Sequence, residues 1–535
     1  MTQDFPRPLS APARRRTIAL AAVATLAVGL ALPLAVAPAA AEEPGLAGSE
    51  LYLNPWSTTL EAAQALEGQA RADAQLLGSI PSADWFTTGT PAEVEAAVDA
   101  VVTAAAAEGR MPILVAYNLP FRDCAQYSAG GALDTAAYVA WIDAFASGIG
   151  DRAATVILEP DGLGIIPHYV TLDGIAEWCQ PEELDPATAA TDRFVQLNHA
   201  VDALGALAAT SVYLDGTGSS WLNVGEISDR LLKAGVERAD GFFLNASNYQ
   251  YTTNSTHFGT WISSCIAFVT QKDGSFAECG NQYWNGGPAT GWQGTAMSPY
   301  GEWTTDAADP ALNTSGVESR YALQLGDTVP TTRFVIDTSR NGLGPWDYPE
   351  GVYPSPEDWC NPPDRGLGLR PDTTTGVPLV DAYLWIKVPG ESDGKCYRGT
   401  EGPLDPARGI EDPAAGQWFV EQARELVALA NPPLAPLACD ADVKVVSNAK
   451  GFQSRIVVRN TGASTLPSWT LSWSAADGQT VTKVVGGSFV QDGAIVTVTA
   501  DRALRAGKTA TIVVSGSGPA VESWQYRVGG GSCTS

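Results

Sequence analysis

The chain has 535 residues, of which 45% are apolar and 17% are charged, a composition typical of folded globular proteins. Its 59 acidic and 32 basic side chains give a net charge of −27, which repels polyphosphates and disfavours nucleic acids and anionic membranes as partners. The chain has only three histidines, which disfavours a His-rich metal site or a Ser–His–Asp triad.

The first 41 residues have the organisation of a secretory signal peptide. Three arginines, Arg14 to Arg16, precede an apolar run over 18–36, and Ala39–Ala41 supplies small residues for cleavage. A transmembrane anchor is the alternative, but it requires a longer apolar span with a stop-transfer flank. We therefore expect a secreted, extracellular protein without a membrane segment after cleavage. Export would follow the bacterial Sec route or, given the adjacent arginines, the twin-arginine route.

Residues 48–432 alternate short apolar runs with Ala-rich amphipathic stretches. Continuous Val, Ile and Leu runs between turns are typical of buried parallel strands, and the stretches between them are typical of helices. This alternation predicts an α/β domain over 42–432, a distorted parallel β/α barrel of about seven strands. The predicted strands are 51–53, 112–117, 155–158, 211–214, 241–244, 333–336 and 382–386. The predicted helices are 91–108, 135–149, 192–209, 228–234 and 414–430.

A polar residue follows each predicted strand. The carboxyl ends of barrel strands converge on one face, so we expect these side chains to line one cleft. A single Asp could instead cap the next helix, but capping explains the repeated strand-end position poorly. The carboxylates expected in the cleft are Asp123, Asp161, Asp215, Asp337, Glu391 and Asp393.

Paired carboxylates with abundant aromatic side chains favour hydrolysis of a glycosidic bond. One carboxylic acid protonates the leaving oxygen, a carboxylate activates water or attacks, and aromatic faces stack on sugar rings. The alternative is a calcium site, which requires Asp or Asn at alternate positions of one loop, and the sequence has no such run. It has no CxxC pair either, so we expect no metal and no cofactor.

A short Pro-rich linker over 433–438 separates the barrel from a different kind of chain. Residues 439–535 contain short β-rich runs between Gly, Asp and Ser turns, which predict an antiparallel β-sandwich. The predicted strands are 443–446, 455–458, 470–474, 495–499 and 510–514.

All eight cysteines follow residue 41, and an even number in an exported chain predicts disulfides. Sequence proximity favours Cys265–Cys279 and Cys360–Cys396. Cys439 and Cys533 lie at the two ends of the predicted sandwich and would join its termini. Eight cysteines can pair in many different ways, so their number alone leaves other disulfide connectivities open.

Seven segments of the predicted barrel resemble glycoside hydrolase family 6, the inverting cellulases. They occur in order across about residues 48–432: Val115–Cys124, Val156–Asp161, Tyr213–Asp215 with Trp221, Asn245–Tyr249, Ile336–Gly342, Trp359–Asn361 and Lys387–Gly394. The resemblance implies a secreted enzyme that hydrolyses β-1,4-glucosidic bonds of cellulose with inversion. Its partner would be cellulose or another β-1,4-glucan, and the chain would be a monomer.

The resemblance also implies a role for each matched residue. Asp161 corresponds to the proton donor, and Asp123 would raise its pKa and relay a proton. Asp393 corresponds to the proposed base, and Asp215 would help to bind and distort the sugar. The contacts around that sugar would come from Tyr117, Arg122, Asn248, Lys387 and Glu391, and the stacking platforms from Trp221 and Trp359. The disulfides that the resemblance implies are Cys124–Cys179 and Cys360–Cys396.

Loop lengths bear on whether the cleft is open or roofed. The short loop between Arg340 and Trp359 favours an open cleft and an endoglucanase. The long insert between Tyr249 and Arg333 would either pack on the barrel or cover the groove, so a cellobiohydrolase is the alternative. Its aromatic residues are Trp261, Trp284, Trp292 and Trp303. A non-catalytic secreted glycan-binding protein is a further alternative, which the intact carboxylates Asp123, Asp161 and Asp393 disfavour.

The predicted sandwich resembles a family 2 carbohydrate-binding module in its terminal cysteines and its Trp469–Trp473 strand. The positions where such modules carry exposed tryptophans are occupied here by Asn448–Gly451, Val484–Gly487 and Ser515–Gly518. Trp469 and Trp473 are expected in the core, which leaves Trp524 as the spare tryptophan. We therefore expect the fold to be kept and binding to crystalline cellulose to be weak.

Overall fold

The computed structural model describes residues 45–437, 439–448, 451–476, 478–521, 524–529 and 531–534. The predicted signal peptide over 1–41 lies outside the described residues. Within those ranges, no helix has the length and apolarity needed to cross a bilayer.

The first part of the described chain is a curled sheet of seven parallel strands with helices around it. The strands pair in sequence order, from β1 to β7. In chain order the elements are α1 (Thr58–Ala65), α2 (Gly68–Leu77), β1 (Asp84–Phe86), α3 (Pro91–Glu108), β2 (Ile113–Ala116), α4 (Thr135–Ile149), β3 (Ala154–Leu158), α5 (Ala189–Gly205), β4 (Thr210–Asp215), α6 (Val224–Lys233), β5 (Gly241–Leu244), α7 (Thr252–Lys272), α8 (Ser315–Leu325), β6 (Arg333–Asp337), β7 (Val380–Leu384) and α9 (Val420–Ala428). This arrangement confirms the predicted parallel, TIM-like β/α architecture.

Alternate residues of the strands fill two separate apolar clusters. On one face, residues such as Leu114 and Val156 pack against Val98 and Phe145 of the helices. On the other face, residues such as Val115, Ile157 and Val335 pack against one another inside the curled sheet. Because side chains alternate along a strand, the buried strands must be apolar on both faces, which explains the continuous apolar runs in the sequence.

The first strand differs from the prediction. Leu51–Leu53 forms only a single bridge, from Leu51 to Met111, and the strand at this edge is β1 instead. β1 has three residues and lies between Pro81 and Gly89, so it is too short to produce a recognisable pattern. The last strand, β7, begins and ends two residues before the predicted 382–386.

The helix α7 was not predicted, because its sequence is rich in Thr and Ser, which favour helices weakly. Its Phe258, Trp261 and Ile262 are buried, so tertiary packing stabilises it despite the low propensity. By contrast, α3 and α4 have the predicted bounds. α3 begins with a capping box between Thr90 and Glu93 and ends at Gly109 in the left-handed conformation.

The second part of the described chain is an antiparallel β-sandwich, as predicted. Its strands are β8 (Cys439–Asn448), β9 (Gly451–Asn460), β10 (Thr470–Ser474), β11 (Thr480–Val485), β12 (Gly487–Asp492), β13 (Ile495–Ala500), β14 (Thr509–Ser517), β15 (Trp524–Val528) and β16 (Gly531–Thr534). Side chains of β9 and β14 meet those of β10 and β13 in one core, which includes Trp469 and Trp473. Both tryptophans are therefore core residues, as expected.

The described residues form four disulfides. They are Cys124–Cys179, Cys265–Cys279, Cys360–Cys396 and Cys439–Cys533. These are the pairings named from the sequence and from the family resemblance. The last one joins β8 to β16, which pair in parallel at Cys439 and Cys533.

Candidate active site

A cleft of about 580 Å³ opens where the strands β2, β3, β5 and β7 end. It brings together ten of the eleven site residues named from the sequence. These are Tyr117, Arg122, Asp123, Asp161, Trp221, Asn248, Trp359, Lys387, Glu391 and Asp393. The eleventh, Asp215, lies behind the cleft wall, and so does Asp337, which was also expected in the cleft.

Asp161 lies on the loop that follows β3, with a positive φ of 63°. Its carboxylate lines the cleft, and no described residue donates a hydrogen bond to it. Burial raises the pKa of Asp161 well above its ordinary value, and the negative charges of Asp215, Asp123 and Asp393 raise it further. Asp161 therefore favours the protonated form, which is the form that a general acid requires.

Asp215, at the end of β4, fixes the loop that carries Asp161. Its carboxylate accepts hydrogen bonds from the backbone N–H groups of Leu163 at 3.1 Å, Gly164 at 3.0 Å and Thr217 at 2.9 Å. Burial raises the pKa of Asp215 to about 6, although these hydrogen bonds oppose the rise. In this geometry Asp215 acts on Asp161 through its position and its charge.

Asp123 lies in a short turn after β2, also with a positive φ. Its carboxylate accepts a hydrogen bond from the backbone N–H of Ser128 at 2.7 Å. Burial raises its pKa to about 6, and the hydrogen bond from Ser128 and the charge of Arg122 oppose the rise. Asp123 can therefore exchange a proton near neutral pH.

Arg122 organises the turn that carries Asp123. Its guanidinium donates to the backbone oxygens of Ser128 at 2.9 Å and Thr87 at 2.8 Å, and also to that of Tyr117. It lies 4.4 Å from the centre of the Tyr117 ring. Because these contacts use most of the N–H groups of the guanidinium, the main effect of Arg122 is to hold the shape of the loop.

Asp393 has the opposite electrostatic environment to Asp161. Its carboxylate accepts hydrogen bonds from Arg340 at 2.8 Å, from the N–H of Asn361 at 3.0 Å and from the Tyr249 hydroxyl at 3.3 Å. The Lys387 Nζ atom lies 3.6 Å from its other oxygen. Burial alone would raise the pKa of Asp393, but the charges of Arg340 and Lys387 lower it below its ordinary value. Asp393 is therefore ionised and already well paired.

Asp337 does not line the cleft but holds the neighbouring loops in place. Its carboxylate accepts hydrogen bonds from the backbone N–H groups of Lys387, Ser247 and Ser339 at 2.9–3.0 Å. It thereby joins the end of β6 to the loops that follow β5 and β7. Arg340, three residues later, lies within a segment that carried the family resemblance, but its pairing with Asp393 was not foreseen.

Two buried residues that sequence reasoning did not place in the site support the loops around Asp161. Glu159 accepts hydrogen bonds from the N–H groups of Asn118 and Leu119, and burial raises its pKa to about 7. Arg193 of α5 donates to the carbonyl oxygens of Gly162, Ile165 and Pro120, at 2.8, 2.9 and 3.0 Å. Together they fix the loops after β2 and β3. Glu159 had a signal in the Glu159-Pro160-Asp161 motif, whereas Arg193 had none.

Aromatic side chains line much of the cleft. Trp221 is 36% exposed and lies against Gly164, where a Cβ would collide with its ring. Trp359 lies 6.0 Å from the Tyr127 ring, measured between ring centres. Three further aromatic lining residues were not named from the sequence: Trp85, Tyr127 and Trp178. Their positions depend on loop conformations that the sequence pattern does not reveal.

The long insert packs against the barrel rather than covering the cleft. Trp261 and Trp303 are buried and stacked, with ring centres 5.6 Å apart. Of the insert residues 250–332, only Gln250, which directly follows Tyr249, lines the cleft. Of the two roles considered for the insert, the structure therefore favours packing on the flank.

The cleft combines a carboxyl group whose pKa is raised with a carboxylate whose pKa is lowered, between aromatic faces. Two carboxyl groups held in such different environments can act as an acid and a base. Aromatic faces with neighbouring polar groups are suited to pyranose rings, which have apolar faces and polar edges. The arrangement is therefore equipped for acid–base cleavage of a glycosidic bond.

Comparisons with known proteins agree with this chemistry. Residues 46–430 match the family model for glycosyl hydrolases family 6, and residues 439–533 match that for a cellulose binding domain. Endoglucanase A of Thermobispora bispora is 30% identical over 506 residues, covering 90% of this chain and 91% of that protein. A probable 1,4-beta-D-glucan cellobiohydrolase C of Neosartorya fischeri is 27% identical over 413 residues, covering 72% and 78%. The solved structure of the endoglucanase Cel6 from Mycobacterium tuberculosis, in complex with a thio-linked cellobioside, superimposes with a TM-score of 0.50 at 30% identity. That match covers 71% of this chain and 97% of the solved one.

Proposed function

The chain belongs to glycosyl hydrolase family 6, and from that premise we propose that it is a secreted endoglucanase acting on cellulose. It hydrolyses internal β-1,4-glucosidic bonds with inversion of the anomeric carbon. The observation that carries the proposal is the pair of carboxyl groups with opposite pKa shifts, Asp161 and Asp393, in one aromatic cleft.

In the proposed mechanism, Asp161 gives its proton to the leaving oxygen of the scissile bond. Asp393 is ionised before the reaction, accepts the proton of the attacking water and releases it to solvent before the next turnover. Since Arg340, Asn361 and Tyr249 already occupy one oxygen of Asp393, we infer that this proton travels along a chain of water rather than by direct contact. Asp123, whose pKa is about 6, relays a proton to Asp161 between turnovers.

Seven other lining residues, those named from the sequence, bind the glucan chain. Trp221 and Trp359 stack on pyranose rings, and Tyr117, Arg122, Asn248, Lys387 and Glu391 surround the ring next to the scissile bond. Support for this assignment comes from their common position in the cleft. Asp215 helps indirectly by holding the Asp161 loop.

Endo action is supported by the insert, which leaves the cleft uncovered, and by the endoglucanases among the relatives at 30% identity or more. Cellobiohydrolase is the second candidate, because proteins with that name match about 72% of the chain at 27% identity. Their lower identity favours the first candidate, and so does the described cleft wall, to which the insert contributes only Gln250.

We further propose the organisation of the whole chain. Residues 1–41 direct export, 42–432 form the catalytic domain, 433–438 are the linker and 439–535 form a carbohydrate-binding domain. The match of 439–533 to a cellulose binding domain supports the last assignment. The enzyme acts as a monomer.

The experiment that tests endo action follows viscosity and reducing ends together during hydrolysis of carboxymethylcellulose. An endoglucanase cuts internal bonds, so viscosity falls steeply while few reducing ends have formed. Parallel assays on cellulose and mixed-linkage glucan define the substrate range. Cellobiose as the dominant early product, with nearly unchanged viscosity, would support the cellobiohydrolase instead.

A further inference from the structure

Trp178 is an exposed aromatic residue in the wall of the cleft, and the proposed mechanism gives it no task. It is 53% exposed and lines the cleft. Among the described residues, none forms a ring–ring contact with it or accepts a hydrogen bond from its indole N–H. Its large apolar face and its donor are therefore both available inside the cleft.

The chain is held firmly on the N-terminal side of Trp178. The Glu177 carboxylate pairs with Arg230, whose side chain is fully buried in α6. The backbone N–H of Glu177 also donates to the carbonyl of Tyr169 at 2.8 Å. A buried ion pair of this kind fixes the backbone direction at Trp178.

The chain is held equally firmly on the C-terminal side. Cys179 forms the disulfide with Cys124, and its carbonyl accepts a hydrogen bond from the N–H of His168 at 2.9 Å. The His168 ring lies 2.8 Å from the Gln180 side chain and 2.9 Å from the carbonyl oxygen of Pro181. The Trp178 ring is thus carried by a fixed backbone, which reduces the entropy that a ligand must overcome to use it.

The disulfide also sets the distance of Trp178 from the reaction centre. The Cα atoms of Cys124 and Cys179 are 5.8 Å apart. Because consecutive Cα atoms are about 3.8 Å apart, the Cα atom of Trp178 lies no more than about 13 Å from that of Asp123. A glucan chain bound at Asp161 and Asp123 can therefore reach Trp178.

We propose that Trp178 is a further sugar-binding residue of the cleft, which stacks on a glucose unit of the bound β-1,4-glucan. This inference rests on the proposed function and deepens it. The pyranose ring offers an apolar C–H face to the indole, and its hydroxyl groups can accept the indole N–H. Trp178 lines the same cleft as Trp221 and Trp359, the two stacking residues already proposed.

Binding of cellohexaose tests the proposal. We would measure its affinity by calorimetry in an Asp161→Asn background, in which cleavage is slow. Trp178→Ala should weaken the affinity by about tenfold, the loss expected when one aromatic stacking contact is removed. Trp178→Phe, which keeps an aromatic face, should restore most of it. The matched control is Trp284→Ala, because Trp284 is 44% exposed and does not line the cleft.

An affinity in Trp178→Ala within twofold of the parent value would overturn the proposal. So would an equal loss in Trp178→Phe, because that result would indicate lost packing rather than lost stacking. Thermal unfolding of each variant checks that the fold is intact. Failure of the proposed function is a separate result: the unmutated enzyme would then release no sugar from any glucan, whatever the binding data show.

Discussion

At the scale of the residue, the cleft gives two aspartates opposite pKa shifts, because their surroundings differ in charge. Asp161 has only like charges near it, whereas Asp393 has Arg340 and Lys387. The sequence placed both after strands and so predicted that they share a cleft. It could not predict their pKa shifts, because Arg340 reaches Asp393 from 53 residues away in the chain.

Replacing the acid should remove most of the activity on ordinary glucans. We expect Asp161→Asn to lower kcat on cellulose and carboxymethylcellulose by ~10²–10⁴-fold, since the leaving oxygen is no longer protonated. Substrates with good leaving groups, such as dinitrophenyl cellobioside, should lose much less. The control is Asp143→Asn, on the exposed side of α4, which should keep full activity. Near-normal hydrolysis of cellulose by Asp161→Asn would remove Asp161 from this role.

The pH dependence should follow from the same charges. The proposed mechanism requires Asp161 protonated and Asp393 ionised, so activity should fall at high pH as Asp161 loses its proton. Because the negative charge of Asp123 helps to raise the pKa of Asp161, Asp123→Asn should move this high-pH limb to lower pH. The measurement is kcat/KM against pH for both enzymes. A shift of the limb to higher pH would contradict the assignment.

At the scale of the element, loops rather than strands carry the reacting groups, and α5 holds those loops. Sequence patterns predicted α3 and α4 with their observed bounds, because capping residues and apolar spacing are local signals. They could not predict that Arg193 of α5 joins the carbonyl oxygens of Pro120, Gly162 and Ile165, because such contacts depend on the packed fold.

Removing this guanidinium should destabilise the enzyme and impair the cleft. We expect Arg193→Met to cost about 3–5 kcal/mol, because it leaves three buried carbonyl oxygens without their charged hydrogen-bond donor. Urea unfolding of Arg193→Met and of the unmutated enzyme measures the change in the free energy of unfolding. Arg238→Met is the matched control: Arg238 is half exposed and pairs with Asp202, so its loss should cost at most about 1 kcal/mol. Equal urea midpoints for Arg193→Met and Arg238→Met would show that the buried hydrogen bonds of Arg193 add no more stability than the exposed ion pair of Arg238.

At the scale of the whole molecule, the curled sheet places the proposed acid and the proposed base on loops that follow different strands. Asp161 follows β3 and Asp393 follows β7, four strands further along the sheet. The order of the strands, and hence this separation, was predictable from the alternation of apolar runs and helices. The first strand was not, because three residues give no periodic signal.

This placement should produce inversion. A water molecule must fit between the base and the anomeric carbon, which requires carboxyl groups ~6.5–9.5 Å apart. We therefore expect α-configured sugar as the first product of a β-1,4-glucan. Proton NMR of a cello-oligosaccharide digest, recorded before the product mutarotates, shows the configuration directly. A β-configured first product would indicate a covalent intermediate and contradict the proposed roles.

The sandwich matches a cellulose binding domain, and from its sequence we expect it to lack the exposed tryptophans that such modules use. Val485 of β11, in one of the segments where family 2 modules carry an exposed tryptophan, is 54% exposed, and Trp469 and Trp473 are buried in the core. The side chain of Trp524 lies outside the described structure. Each missing tryptophan removes on the order of 1–3 kcal/mol of stacking and desolvation, so we expect weak binding to crystalline cellulose.

Depletion from solution by microcrystalline cellulose tests this expectation, with Asp161→Asn in every sample so that the cellulose is not consumed. The full chain and a chain ending at residue 432 should be depleted to a similar extent, because the sandwich adds little affinity. Val485→Trp in the full chain should increase depletion, since it restores one apolar face at an exposed position of β11. If the shorter chain instead loses most of its binding, the sandwich holds cellulose through another surface, and the exposed Val485 does not mark a lost binding face.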